Sequence, residues 1–306
     1  MPTPTPPMFD AAIIGGSYAG ISAAMQLARG HRRIAVFDAG QRRNRFASHS
    51  HGFLGQDGRP PADIARDARE QLLRYPTVTW IDAAVTAVSG TAGEFVLQDD
   101  GDGTHRAARV LLATGVVDHL PDVPGLRERW GRSVFHCPYC HGYELGRRAI
   151  GVLATGPMSL HQAQLLPEWG AVTFFLNGAI ELTPEQSAEL AARGVTVEPV
   201  PVRALSGPDA GDVTVELQDG RSVTLAGLFT TSRTEPQGTL AQQLGCEHED
   251  SPVGRFVRTD AMKATSVAGV FACGDAGRAM GNVALAVGDG ALAGAGVHRS
   301  LVLGLG

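Results

Sequence analysis

The sequence predicts an α/β protein with two Rossmann-like dinucleotide-binding domains, the second inserted into the first. Two short apolar runs, at 11–14 and 150–153, each resemble the strand that opens a βαβ unit. A third apolar strand, at 269–273, ends on a Gly-Asp pair and precedes a helix of small residues.

The first βαβ unit carries a nucleotide-binding pattern. Its strand at 11–14 leads into a glycine turn at 15–20 and an Ala-rich helix, and a second strand at 34–37 ends on Asp38. In such a unit the turn delivers a pyrophosphate to the helix N-terminus, and the acid accepts a hydrogen bond from a ribose hydroxyl. Ser17 replaces the second glycine of the Gly-x-Gly-x-x-Gly pattern, so this segment alone also fits an ordinary α/β turn.

Composition limits the possible function classes. With 306 residues, 43% hydrophobic and 19% charged, the chain has room for about two domains. A net charge of -5 and a single lysine, Lys263, provide no basic face, so we expect no nucleic-acid partner. No apolar run is long enough to span a membrane, and the Pro-rich start lacks a signal-peptide pattern. We therefore expect a cytoplasmic protein without membrane contact.

One Cys-x-x-Cys motif lies between the two βαβ units, at Cys137 and Cys140, and His141 follows it directly. A thiolate attacks a disulfide or donates electrons, and at a helix start the pKa of one thiol of such a pair is lowered. Four cysteines are too few for a disulfide framework, and the other two, Cys246 and Cys273, are isolated. A redox pair is therefore favoured over a structural zinc site, which needs four ligands. A glutaredoxin motif would open a small domain instead of lying mid-chain.

Two further segments complete a family pattern. A buried-type strand at 110–115 ends in an Ala-Thr-Gly turn, and the strand at 269–273 closes on Gly-Asp. In this order, with the Cys-x-x-Cys between them, they make almost the whole chain resemble the low-molecular-weight thioredoxin reductase family of FAD flavoproteins. The resemblance implies a homodimer and a discontinuous FAD-binding domain at 1–116 plus 237–306, with an inserted NADPH-like domain at 117–236.

The resemblance also implies which residues contact FAD. The glycine turn would hold the pyrophosphate, the acid after the second strand the adenosine ribose, and the acid of the Gly-Asp pair the ribityl chain. The predicted contacts are Gly15, Gly16, Ser17, Gly20, Asp38, Ala113, Thr114, Gly115, Gly274, Asp275 and Asn282. No metal ion is predicted.

The inserted domain departs from the thioredoxin reductase pattern. After the strand at 150–153 the turn at 154–159 keeps a single glycine, and the strand at 172–175 runs into Leu-Asn-Gly. The family has a His-Arg-Arg cluster at this second position, whose guanidinium groups pair with the 2′-phosphate of NADPH. The loss of both features predicts that NADPH binding is weakened by orders of magnitude. The alternative is that NAD(P)H binds through other residues.

The dithiol motif resembles a particular subgroup. Cys-Pro-Tyr-Cys-His-Gly-Tyr-Glu with a degraded nucleotide site is similar to the dithiol oxidases that close disulfides in gliotoxin- and holomycin-type natural products. The resemblance implies that Cys140 lies against the flavin, that Cys137 exchanges with the substrate, and that FAD passes electrons to dioxygen, giving hydrogen peroxide. His141 stands where reductases have an acid, and an imidazole that titrates near neutral pH suits thiol oxidation.

The sequence leaves alternatives open. The first is a thioredoxin reductase-like disulfide reductase fed by NADPH or by a protein donor such as ferredoxin, and the second is a non-enzymatic scaffold that holds flavin or zinc. The substrate, a small-molecule or peptide dithiol or disulfide, is not identified. His49 or His51 could assist proton transfer or could be ordinary loop residues, and we expect Asp118, His119 and Glu144 to be surface or capping residues.

Overall fold

The computed structural model describes residues 8–208 and 211–304. Their contacts form two compact units. The first comprises the described residues of Met1–Arg45, Arg59–Val117 and Thr234–Gly306, and the second comprises Phe46–Gly58 and the described residues of Asp118–Arg233. The segment Phe46–Gly58, which the sequence assigned to the first domain, therefore groups with the second unit.

The secondary structure follows in chain order. The strands of the described residues are β1 Met8–Ile14, β2 Ile34–Phe37, β3 Val78–Ile81, β4 Val85–Thr91, β5 Glu94–Asp99, β6 Thr104–Leu112, β7 Val116–His119, β8 Val134–Phe135, β9 Ile150–Leu153, β10 Val172–Phe175, β11 Thr196–Glu198, β12 Val202–Ser206, β13 Val213–Leu217, β14 Ser222–Leu225, β15 Gly227–Thr230, β16 Arg233–Pro236, β17 His248–Ser251, β18 Gly254–Val257 and β19 Val270–Ala272. The α-helices are α1 Tyr18–Arg29, α2 Pro61–Leu72, α3 Leu126–Arg129, α4 Pro138–His141, α5 Met158–Leu165, α6 Pro184–Ala192, α7 Leu240–Gln243 and α8 Val283–Leu303. Short 3-10 turns lie at Tyr143–Leu145, Leu166–Glu168 and Gly274–Gly277.

The first unit is built on a sheet in the order β3-β2-β1-β6-β5-β4, with β19 also paired with β6. Strand β1 runs parallel to β2 and β6, so Ile13 lies between Val36 and Leu111. All three side chains are fully buried, as expected for parallel strands covered on both faces. The glycine turn after β1 therefore emerges at the carboxyl edge of the sheet, where nucleotides bind in such folds.

Helices α1 and α8 pack on each other and share one core cluster with β1. They approach closely because two positions of α8 have no side chain. A Cβ at Gly294 would lie 2.5 Å from the Ala23 carbonyl oxygen, and one at Gly290 would clash with the backbone of α1 in the same way. The small-residue helix predicted at 283–294 runs on to Leu303, and of its later apolar residues Val297 and Leu301 pack against this core.

The second unit contains a parallel sheet in the order β11-β10-β9-β15-β8 and a separate antiparallel sheet, β12-β13-β14. Strands β9 and β10 occupy the predicted positions 150–153 and 172–175. The predicted fold class is confirmed, because each unit is a Rossmann-like α/β layer and the segment between the two ends of the first unit forms the second.

The chain passes between the units through β7 and β16. Both strands belong to a four-stranded sheet in the order β17-β18-β16-β7. The Ser232 hydroxyl donates a 2.6 Å hydrogen bond to Asp118 Oδ1. This bond links the two segments through which the chain crosses. Within residues 8–208 and 211–304, no helix combines the length and apolar character needed to cross a membrane.

Candidate active site

The glycine turn between β1 and α1 is closely packed. Gly15 has a φ of +113°, and its N–H donates to the Phe37 carbonyl oxygen at 2.8 Å. A Cβ at Gly15 would clash with the Ala113 carbonyl, and one at Gly16 would lie 2.5 Å from the Trp80 ring. Because these positions are bare, a ligand can approach the backbone N–H groups at the start of α1, as a pyrophosphate requires.

A cavity of about 350 Å³ opens at this turn, and its lining belongs entirely to the first unit. Asp38 at the end of β2, Thr114 and Arg42 line it together with the glycine turn. Ser17 also lines it; as the N-cap of α1 it has a φ of -100°, so a side chain is tolerated where the pattern has glycine. An acid, a helix N-terminus and an arginine around bare backbone fit the adenosine diphosphate part of a dinucleotide. Arg42 belongs to no motif, so the pattern alone missed it.

The remaining predicted contacts have local structural roles in the first unit. Gly20 lies in α1, where a Cβ would clash with the Gly15 carbonyl oxygen. Gly115 has a φ of +71° and accepts the Gln237 N–H at 3.0 Å. Asn282 is the N-cap of α8, and its Oδ1 accepts the backbone N–H of Leu285 at 2.8 Å. Whether Asn282 also contacts a flavin stays a prediction.

Gly274 and Asp275 lie in the 3-10 turn after β19, and a buried carboxylate holds this turn. Asp289 Oδ2 accepts the Gly274 N–H at 2.9 Å, and Asp289 Oδ1 pairs with Lys263 Nζ at 2.6 Å. Asp275 in turn pairs with Arg43 at 2.8 Å. The sequence reasoning did not find these three partners. Asp289 could have been noticed in the sequence, because it is a charged residue inside a helix of small residues.

The dithiol lies in the second unit, at the start of α4. Cys137 is the N-cap of this helix, and the Cys140 N–H donates to the Cys137 carbonyl oxygen at 3.2 Å. The two residues form a disulfide, with their Cα atoms 5.3 Å apart. Both are partly buried, so a small thiol can reach this disulfide from solvent. The other two cysteines, Cys246 and Cys273, are buried free thiols.

His141 differs from the expectation of an imidazole that titrates near neutral pH. Its ring stacks on Phe135 with centroids 4.3 Å apart, and both ring nitrogens are shielded from solvent with no hydrogen-bond partner in the described parts of the chain. Burial lowers the pKa of His141 from 6.5 to about 4, and the nearby Cys137 backbone opposes this only partly. The group is therefore a neutral imidazole at physiological pH, able to accept a proton but not to store one.

This lowered pKa predicts a pH dependence of stability. Between pH 6.5 and 4 the unfolded chain protonates His141 while the folded chain does not, so this residue lowers the free energy of unfolding as the pH falls. Between pH 6.5 and 4, we expect the free energy of unfolding of His141→Gln to fall by about 3 kcal/mol less than that of the wild type. Urea unfolding at both ends of the range checks this. The exposed His49→Gln should follow the wild type, and parallel curves for His141→Gln and the wild type would contradict the burial.

Two residues that follow the turn at 154–159 support the Cys-x-x-Cys motif. Gln162 on α5 donates from Nε2 to the His136 carbonyl oxygen at 2.9 Å, directly before Cys137. Trp169 meets the other end of the motif, because a Cβ at Gly142 would lie 2.5 Å from its Cδ1 and the Tyr139 ring stands edge-on to it at 5.2 Å. Helix α5, which would carry a nucleotide in a functional dinucleotide fold, thus supports the Cys-x-x-Cys turn.

Three polar side chains at the carboxyl edge of the second sheet, Ser159, Asn177 and Glu198, have protein partners. Ser159 Oγ accepts the Thr155 N–H at 3.0 Å, inside the turn where a pyrophosphate would lie. Asn177, after β10, accepts the Val202 N–H at 2.9 Å. Glu198, the last residue of β11, is buried and accepts two hydrogen bonds from Arg221, at 2.7 and 3.0 Å. The Arg221 guanidinium lowers the pKa of Glu198, which keeps this pair ionised.

The two loop histidines have different surroundings. His51 Nδ1 lies 3.4 Å from Glu144 Oε1, whereas the exposed His49 has the Ser48 hydroxyl at 3.0 Å. Glu144 is exposed, as expected of a surface residue, and its Oε1 faces His51. His119 is exposed. The residues that the structure describes contain no cluster of His, Cys, Asp and Glu able to hold a metal ion.

One Rossmann-like unit with a dinucleotide-type cavity and a second that carries a Cys-x-x-Cys disulfide define a two-domain disulfide oxidoreductase. The chain belongs to the pyridine nucleotide-disulphide oxidoreductase family, whose sequence pattern matches residues 9–290. This confirms the predicted family and the prediction of an enzyme. Members of the thioredoxin reductase-like group in this family generally bind FAD.

Full-length relatives support this assignment. Thioredoxin reductase sirT of Leptosphaeria maculans is 34% identical over 96% of this chain and 94% of that protein. Thioredoxin reductase tcpT of Claviceps purpurea is 36% identical over 93% of this chain and 92% of its own length. The crystal structure of an oxidoreductase from Agrobacterium tumefaciens is 54% identical, has a TM-score of 0.94, and covers 97% of this chain and 99% of its own.

Proposed function

We propose that this protein is an FAD-dependent dithiol oxidase that converts a small-molecule or peptide dithiol to a disulfide with dioxygen as the acceptor. The observation that carries the proposal is the second unit itself. It keeps a disulfide beside a proton-accepting imidazole, while the polar groups of its nucleotide-type edge are bonded within the protein. A reductase that takes its electrons from NADPH would need that edge.

The first unit fits FAD. The bare turn at Gly15 and Gly16 would hold the pyrophosphate, Asp38 the adenosine ribose, and Asp275 the ribityl chain. Arg42 adds a positive charge to the cavity wall, which suits two phosphates. When bound, FAD would supply the two-electron acceptor for the reduced dithiol and the route to dioxygen, which leaves as hydrogen peroxide.

The chain's own residues account for the thiol chemistry. A substrate thiolate attacks Cys137, the Cys137–Cys140 bond breaks, and Cys140 leaves as a thiolate. The second substrate thiol then attacks the mixed disulfide, which releases the substrate disulfide and leaves Cys137 as a thiolate. Each exchange frees one proton, and the neutral His141 beside the motif can accept it because the new thiolate favours the imidazolium. The net result is transfer of two electrons from substrate to the cysteine pair, with release of two protons.

The second candidate is a disulfide reductase that receives electrons from NADPH or a protein donor. It is favoured by the names of the relatives, which are called thioredoxin reductases. The loss of the family's His-Arg-Arg cluster and the internal bonding of Asn177 and Glu198 argue against NADPH as the donor. The non-enzymatic scaffold is set aside, since the chain belongs to a family of enzymes. We further propose a cytoplasmic homodimer, which light scattering and cell fractionation can test.

An anaerobic titration distinguishes an oxidase, in which electrons flow from a dithiol to the flavin, from a reductase, in which they flow from NADPH to the flavin. We expect dithiothreitol to bleach the visible absorption of the FAD-loaded protein, whereas NADPH in tenfold excess leaves it unchanged over minutes. On admission of air the absorption should return, with about one hydrogen peroxide formed per dithiol consumed. Prompt bleaching by NADPH would contradict the oxidase and support the reductase. Free FAD at the same concentration serves as the control for direct reduction by each donor.

A further inference from the structure

Oxidation of a dithiol releases two protons, and the dithiol turn cannot store them. His141 is neutral, its ring nitrogens are shielded from water, and burial lowers its pKa to about 4. A proton that reaches this imidazole must therefore move on before the next exchange can use it. The site needs a second proton-accepting group that has access to solvent.

His51 meets this requirement within the second unit. Its side chain is 21% exposed, and its Nδ1 lies 3.4 Å from Glu144 Oε1 and 3.5 Å from Asp57 Oδ1. Glu144 belongs to the 3-10 turn that directly follows the Cys-x-x-Cys helix. The pKa of His141 is lowered mainly by burial, and a positive charge on His51 would lower it further by like-charge repulsion. His51 thus contacts the turn that follows the Cys-x-x-Cys helix and also reaches water.

The contact with Glu144 orients the His51 ring. A carboxylate opposite Nδ1 favours the tautomer that carries its proton on Nδ1, which leaves Nε2 as the proton acceptor. Contacts of this length often tighten when the substrate binds. His49 lacks this arrangement, since the Ser48 hydroxyl is its partner at 3.0 Å and its ring centroid lies 6.3 Å from that of His51. The structure therefore distinguishes two histidines that the sequence left equivalent.

We propose that His51, positioned by Glu144, is the second proton carrier of the dithiol site. In each exchange an S–H bond and an S–S bond break, a new S–S bond forms, a thiolate leaves, and the released proton passes to His51 Nε2 and then to water. The charged and titratable groups near His51 are Glu144 and Asp57, within 3.5 Å of its Nδ1, and His49, with its ring centroid 6.3 Å away; His141 interacts with it only electrostatically. The inference rests on the dithiol exchange proposed above, and it adds the residue that accepts the protons released from the substrate thiols.

The test uses the FAD-loaded full chain with dithiothreitol in anaerobic stopped flow between pH 5.5 and 9. Two signals are followed: bleaching of the flavin, and opening of the Cys137–Cys140 disulfide by rapid alkylation and mass spectrometry. We expect His51→Gln to slow both by about a hundredfold at pH 7 and by less at pH 9, where the reagent is already a thiolate. Glu144→Gln should slow them about tenfold and shift the pH profile, because it only positions the ring. Added imidazole should restore much of the rate to His51→Gly.

The outcomes separate this inference from the proposed function. His49→Gln is the matched control in the same loop and should react at the wild-type rate. If dithiothreitol fails to open the disulfide or bleach the flavin in the wild type, the oxidase itself is wrong. If the wild type reacts and His51→Gln keeps its rate and pH profile, the proton carrier is wrong while the oxidase stands. A slow His51→Gly variant that imidazole does not rescue, with an unchanged pH profile, would likewise overturn the role.

Discussion

Replacing Cys140 by serine is expected to abolish turnover, with a loss of roughly 10³-fold or more. A hydroxyl cannot close the disulfide with Cys137 or leave as a thiolate, so no electrons can pass from substrate to an acceptor. The protein should still fold and bind FAD, because Cys140 lies in the second unit and the dinucleotide-type cavity lies in the first. Oxygen consumption with a dithiol substrate measures the loss, and visible absorption measures bound FAD.

The same variant tests the order of the two thiols. If Cys137 is the residue that exchanges with substrate, Cys140→Ser should accumulate a mixed disulfide at Cys137, detectable by intact mass. Cys246→Ser is the matched control, since Cys246 is a buried free thiol bonded weakly to Thr265 at 3.6 Å. Its turnover should equal that of the wild type. Turnover near the wild-type rate in Cys140→Ser would show that the disulfide is not the electron carrier.

Gly15→Ala should give the second large effect, a loss of bound FAD together with a loss of stability. The added Cβ would clash with the Ala113 carbonyl, and a backbone atom of a buried strand cannot move aside as a side chain can. The φ of +113° adds strain for any residue other than glycine. Together these predict a fall of about 3 kcal/mol in the free energy of unfolding. Urea unfolding and the ratio of FAD to protein measure the two effects.

Two further variants keep this prediction testable if Gly15→Ala fails to fold. Gly288→Ala in α8 meets no atom within 4 Å, so it should leave FAD binding unchanged and stabilise the protein by about 0.5 kcal/mol. Asp38→Ala should fold and bind FAD at least about tenfold more weakly, since it removes the acceptor for the ribose. Full FAD binding in both Gly15→Ala and Asp38→Ala would place the dinucleotide elsewhere.

Much of the fold follows from local pattern. The apolar runs at 150–153 and 172–175 match β9 and β10 to the residue, because strands buried on both faces need continuous apolar sequence. The run at 11–14 predicts only the second half of β1. Its first half, which begins at Met8, pairs with Arg106 and Ala107 of β6, and no periodicity signals such a pairing.

Some features of the site also follow from local sequence, and others do not. Spacing alone placed the Cys-x-x-Cys at a helix start and the glycines at a tight turn, because both depend on bonds between near neighbours. The neutral state of His141 depends on Phe135 and the rest of the wall around it, which spacing does not encode. The partners Lys263 and Asp289 likewise meet only after folding.

The sequence by itself determined which chemical groups this protein has: one Cys-x-x-Cys pair, a glycine turn after the first strand, and a second turn that keeps a single glycine. Only the tertiary structure decided which of those groups are shielded from solvent, which are charged and which have a hydrogen-bond or ion-pair partner. Burial lowers the pKa of His141, and the fold gives two similar histidines different partners, Glu144 for His51 and Ser48 for His49. The physical reason is that solvation and Coulomb interactions depend on distance in space, and residues far apart in the chain share that distance only in the folded protein.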